Sequence, residues 1–179
     1  MSVAPLGTLS PMPAIDTLEK ALRFGEGRRM KRIQEQAAYV ETFEPQFKIL
    51  SDDQDAKGSR EGGMNAMQGY LTRFPKLDGV FAINDPQAIG TDLAAKQLHR
   101  NNIVITSVDG APDIETALKS DTMVQASASQ DPWAMAQQAV SVGYDLMNGK
   151  KPSNSTILLP STLVTRENVG SYKGWSSPR

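Results

Sequence analysis

A chain of 179 residues with 19 basic and 20 acidic side chains has a formal charge of −1, so no global field draws it towards nucleic acid or an anionic membrane. It has no cysteine and one histidine, which excludes disulfides, thiolate nucleophiles, cysteine zinc sites and multi-histidine metal centres. The length suits one domain with a real core or part of a larger protein, and no apolar run reaches the roughly 20 residues that span a bilayer.

Residues 1–45 read as an atypical N-terminal segment of coil and irregular helix. Their first part is rich in Pro, Ser, Gly and Thr, and shows no basic stretch followed by an apolar one, as a secretory signal would. Leu18, Leu22, Ile33, Ala37 and Val40 then give partial helical spacing, interrupted at Gly25-Glu26-Gly27. The basic run Arg28, Arg29, Lys31 and Arg32 reads as a solvated helix face, because nothing aromatic or glycine-rich accompanies it.

From Gln46 the texture changes to alternating short apolar runs and helical stripes. Phe47–Leu50 reads as a short strand, and a polar loop leads to a helix from about Ser59 to Arg73 with Met64, Met67, Tyr70 and Leu71 as its buried stripe. Phe74-Pro75 ends that helix, since a residue before proline avoids the α region. Gly79–Ile83 is almost wholly apolar, as expected of a parallel strand covered on both faces. Asp85-Pro86 opens the next helix, with Asp85 expected as the capping acceptor and Ile89, Leu93, Ala94 and Leu98 as the inner face. His99 falls near its end, where an exposed position is expected.

Ile103–Val108 forms the next strand, and Asp109-Gly110-Ala111-Pro112 leads into a short helix carrying Ile114, Ala117 and Leu118 inward. A weaker strand, Met123–Ser127, precedes Gln130-Asp131-Pro132 and the longest helix, 132–148. Trp133, Ala136, Val140, Tyr144 and Met147 share one face of that helix, and Gly149 stops it. Thr156–Leu159 and Thr162–Thr165 read as short extended segments, and residues 171–179 as a polar tail. Strands alternating with helices at this spacing mean an α/β fold with a mostly parallel sheet.

No nucleophile elbow, Walker loop, dinucleotide fingerprint or metalloprotease helix is present. Gly58–Gly63 lacks the lysine-hydroxyl ending of a phosphate loop and reads as a flexible approach to its helix. Asp52, Asp53 and Asp55 read as solvated loop acids. No catalytic residue, metal ligand or cofactor is expected, and no enzyme. Two residues remain. Asn84 and Asp109 both lie just past the carboxyl end of an apolar run, where an open parallel sheet presents side chains to a ligand crevice. Turn chemistry accounts for each equally well.

The order DGVFAINDPQAIGTDLAAKQL, IVITSVDGAPDIETALKSDTMVQASASQDP, preceded by NAMQGYLTRFP and followed by MNGKKP, closely resembles the second lobe of the ribose-binding type of periplasmic sugar receptor, across about Phe47 to Val169. The resemblance implies a three-layer fold with helices on both sheet faces, one lobe of a two-lobe type I periplasmic binding protein, and a lobe spanning 46–170. It implies the substrate-binding component of a sugar ABC transporter, periplasmic, with a pentose or hexose as ligand and the transporter membrane subunits as partners. By the same resemblance Asn84, Asp109 and Gln130 hydrogen-bond sugar hydroxyls. The alternative is the effector-binding domain of a LacI-type transcriptional regulator, which shares the fold; Val108–Asp113 is closer to the transport branch. The first lobe has no counterpart here, so the expectation is a truncated receptor that binds weakly or not at all alone. Helix 132–148 would then expose an apolar face open to self-association.

Overall fold

The computed structural model describes residues 47–154 and 156–177. What the sequence suggests for residues 1–46 lies outside them. The chain divides into two units, Met1–Asp53 and Gln54–Arg179. In the first, Phe47–Leu50 is described and forms no strand, contrary to expectation, and Phe47 is 57% exposed. So short a segment makes a strand only beside a neighbouring strand, and none pairs with it among the described residues.

The second unit holds α1 (Arg60–Arg73), β1 (Gly79–Phe81), α2 (Asp85–Gln97), β2 (Val104–Asp109), α3 (Pro112–Lys119), β3 (Val124–Ser129), α4 (Pro132–Met147) and β4 (Thr162–Thr165). The sheet order is β1-β2-β3-β4. The first three strands run parallel and β4 pairs antiparallel to β3. Right-handed crossovers between neighbouring parallel strands put α2 and α3 on the same face. That face holds the core: Ile105, Val124 and Val164 from the strands meet Met67, Leu71, Ala88, Ala94, Ala95, Ile114 and Leu118 from the helices. On the other face Phe81, Val104 and Leu163 are exposed, so a second helical layer is not found among the described residues.

Helix α1 begins where the sequence places it. Ser59 caps it by accepting from Gly62 N–H at 3.0 Å, and Phe74 closes it. Gly62 and Gly63 therefore belong to the first turn and not to a flexible approach. Gly63 is buried because α2 crosses there: a Cβ would run into the Gln87 backbone, and one at Gly90 into the Arg60 backbone. So close a crossing also decides which face of α2 turns inward. Ala88, Gly90, Thr91, Ala94 and Ala95 are buried, whereas Leu93 and Leu98 are exposed. The expected inner face held only in part, because close approach selects small residues and the size of an apolar side chain misleads.

Beyond β4 the chain turns back on the sheet's lower end. Arg166 donates from Nε to Val124 O at 2.9 Å, and from its two amino groups to Leu118 O, Ser120 O, Thr122 O and the Thr122 hydroxyl. One guanidinium thereby satisfies the free carbonyls at the end of α3 and the loop after it. Helix α4 buries none of its residues. Asp131 caps it, accepting from Ala134 N–H at 3.0 Å, and Gly149 follows its end with φ of 76°. Trp133, Val140, Tyr144 and Met147 are exposed along it.

Candidate ligand site at the strand ends

The carboxyl ends of β1, β2 and β3 lead into Asn84, Asp109 and Gln130 respectively. Asn84, rather than Asp85, is the cap of α2: its Oδ1 accepts from Gln87 N–H at 3.1 Å. Its Nδ2 donates to Gly58 O at 2.9 Å, which ties the turn before α1 to the start of α2. A primary amide has two N–H groups and two lone pairs, so each end of Asn84 retains capacity for a hydroxyl.

Asp85 has a different task from the capping the sequence suggested. It is fully buried, and its Oδ1 accepts the hydroxyls of Ser107 at 2.6 Å and Ser127 at 2.7 Å. Those serines are register partners on β2 and β3, so both hydroxyls converge on one oxygen. Its Oδ2 accepts from Ala111 N–H at 2.8 Å, at the start of α3. Asp85 thus joins two helix N-termini and two strands at the carboxyl edge of the sheet, where a carboxylate is favoured by both helix dipoles.

Asp109 sits directly above that hub. Its φ is 131°, a region sparsely populated by any side chain with a Cβ. One carboxylate oxygen accepts from Gln130 Nε2 at 2.7 Å, the other from Asp85 N–H at 3.4 Å. Gln130 N–H also reaches back to Asp109 O at 2.8 Å. The structure therefore brings Asp109 and Gln130 into direct contact, with Asn84 one residue from Asp85 on the adjoining strand end. A carboxylate has about four lone-pair positions, and these contacts occupy two.

Burial is the main cause that pushes the Asp109 carboxyl above its ordinary 3.8; the charge of Asp85 adds to the rise, while the Asp85 amide and Gln130 oppose it. A raised carboxyl binds its proton more readily in the folded chain than in the unfolded one. Its contribution to stability is greatest below about 3.8 and is lost as pH rises through the folded value. We expect Asp109→Asn to gain stability relative to the parent over that window as pH rises, and to show no pH-dependent difference below it. Urea midpoints of both proteins from pH 3 to 7 check this; parallel curves would contradict it.

Residues that the sequence reading passed over complete the site. Ser107 and Ser127 carry the only hint available beforehand, hydroxyls at inward positions of apolar strands. Tyr172 and Trp175, read as part of a polar tail, donate to Gly110 O and Asp109 O, each at 3.0 Å. Among the described residues no cluster of His, Asp or Glu could hold a metal ion.

A mostly parallel α/β sheet with polar side chains grouped past its strand ends defines a class built around a ligand crevice. A family model described as the periplasmic binding protein domain matches residues 26–151, and the chain belongs to that family. The match begins inside the segment that its composition sets apart. The ribose import binding protein of Salmonella typhimurium is 33% identical over 105 residues, 59% of this chain and 35% of that protein. The xylitol-binding protein of Mycolicibacterium smegmatis is 29% identical over 127 residues, 70% of this chain and 35% of that protein. Among solved structures, a galactofuranose binding protein aligns with a TM-score of 0.66 at 26% identity, covering 75% of this chain and 46% of that one. A Bacillus halodurans ABC transporter solute binding protein with bound myo-inositol aligns at 0.58 and 30% identity, covering 65% and 40%. The chain spans about a third of the length of the curated relatives it matches.

Proposed function

We propose that this chain contributes one bank of a sugar-binding cleft in the solute-binding component of a sugar ABC transporter. Asp109, Gln130 and Asn84 are the residues that meet ligand hydroxyls. The observation that carries this is the Asp109–Gln130 pair: a half-buried carboxylate in a strained backbone conformation, fixed at 2.7 Å by an amide, at the carboxyl end of a parallel strand. A carboxylate accepts from two adjacent hydroxyls at once, and such charge-assisted bonds are about twice as strong as neutral ones. Gln130 and Asn84 each donate and accept, which fixes the orientation of the next hydroxyl. Analogues lacking those hydroxyls leave the site's own polar groups unpaired and are rejected.

The reading places no covalent chemistry here, and the ligand is a pentose, a hexose or a related polyol. Relatives named for ribose, xylitol and galactofuranose support that class. The whole protein would work in the periplasm, with the transporter's membrane subunits as its partners. A sugar held by one bank keeps its far side in water, where the hydrogen bonds lose the strengthening of a low dielectric. Calorimetry of the chain against a panel of pentoses and hexoses should give no isotherm in the micromolar range. A clear micromolar isotherm would contradict the one-bank account.

A further inference from the structure

We propose that Trp175 and Tyr172 are positioning residues that clamp the Asp109–Gly110 turn and so aim the Asp109 carboxylate. The proposal rests on the sugar-site reading for its functional meaning, but the clamp itself has consequences in the ligand-free chain. Asp109 has a φ of 131°, a conformation that a residue with a Cβ keeps only where surrounding contacts over-determine it, and Gly110 follows at 72° in the region glycine takes freely. The contacts are identifiable. Asp109 O accepts from Gln130 N–H at 2.8 Å and from Trp175 Nε1–H at 3.0 Å. Gly110 O accepts the Tyr172 hydroxyl at 3.0 Å, while Gly110 N–H donates to Ser127 Oγ at 3.2 Å. Two successive carbonyls are therefore gripped by aromatic donors from a segment more than 60 residues downstream.

That segment is anchored and not a loose end. Val169 is buried and bonds back to Thr165 O at 2.9 Å. Tyr172 packs against the core. Gly174 is buried against the Glu115 carboxylate, which a Cβ there would have to displace. At Gly110 a Cβ would run into Ser129 and the Tyr172 hydroxyl, so the clamp closes tightly on the turn. The clamp is also specific in direction. It holds main-chain carbonyls and leaves the carboxylate to Gln130 and the Asp85 N–H.

Among the described residues, one charged group acts directly on the Asp109 carboxyl. Asp85 faces it from the start of α2. On α3, Asp113 pairs with Arg60 at 2.9 Å and Glu115 with Lys119 at 3.8 Å, and the clamp segment itself carries Lys173. None of these is removed by changing Trp175 or Tyr172, so the titration of Asp109 reports its position and not a lost charge.

The test is a carbon-detected NMR titration of the Asp109 carboxyl in the full chain, for the parent, Trp175→Phe and Tyr172→Phe. Tyr172→Phe keeps its ring and loses one donor, Trp175→Phe exchanges the indole for a smaller aromatic ring without a donor, and the amide spectrum reports whether the fold is kept. With the clamp released, the carboxyl turns towards water and its midpoint falls towards the ordinary value. The millimolar sugar response should weaken roughly tenfold, the scale of one hydrogen bond to a well-placed group. An Asp109 midpoint unchanged in both variants would overturn the clamp. If the midpoint falls in the variants while no sugar perturbs the parent chain, the clamp stands and the sugar reading fails.

Discussion

Asp85→Ala is expected to cost about 3–5 kcal/mol of folding stability, the sum of three donors that lose their acceptor at roughly 1–3 kcal/mol each. The size follows from what the carboxylate holds. Ser107, Ser127 and Ala111 each lose their acceptor, and both serines are buried from water. Two strands and the first turn of α3 lose their common tie, and the void left behind adds to the cost. For a domain whose total stability is about 5–15 kcal/mol, a loss of that size leaves a large unfolded fraction. Asp85→Asn should fall between, because serine hydroxyls can turn to accept from the new amide while one oxygen still serves Ala111. Urea denaturation of the three proteins measures the series. A loss below about 1 kcal/mol in Asp85→Ala, the scale of an ordinary single hydrogen bond, would contradict the hub assignment.

The hub also marks the limit of what could be read from the sequence. The stripe Met67, Leu71 on α1 and the set Ile114, Ala117, Leu118 on α3 are inward as their spacing requires. Strands β2 and β3 lie within two residues of their expected bounds, and Asp131 caps α4 as its place before Pro132 suggests. Local chemistry decides all of these. What failed depends on contacts distant in sequence. Asn84 and Asp85 are both good caps, and only the serines of two other strands decide which one turns inward. Leu93 and Leu98 face outward because α1 comes so close at Gly63 and Gly90. Trp175 lies in a stretch of Ser, Gly and Lys, and its partner is 66 residues away. Asn84, Asp109 and Gln130 were proposed as ligand residues through the family resemblance; their spacing alone fits turns just as well. Geometry adds the Asp109–Gln130 contact, which spacing could not supply.

Asp109→Ala carries the largest expected effect on ligand binding. The substitution removes the one carboxylate among the three proposed ligand residues, and with it the charge-assisted pair that a sugar's adjacent hydroxyls would meet. Gln130 loses its fixed acceptor at 2.7 Å, so its amide is no longer held in register. The two losses act on the same hydroxyl pair and should not simply add. We expect the sugar response to disappear within the accessible concentration range, a weakening of at least about a hundredfold for a charged partner lost together with its aligned neighbour. Folding should be little affected, because burial disfavours the charged form of this carboxyl and pushes it above its ordinary value. Loss of the fold in this variant would contradict a role confined to binding.

The central claim is that Asn84, Asp109 and Gln130 together form the surface that meets sugar hydroxyls. The most direct measurement is the NMR response of the side-chain amide groups of Asn84 and Gln130 in the parent chain, titrated with a panel of pentoses and hexoses. The account predicts saturable shifts at both amides in the millimolar range, larger for some sugars than for others, and absent in Asp109→Ala. Silence at both amides across the whole panel, or shifts that persist unchanged in Asp109→Ala, would contradict it.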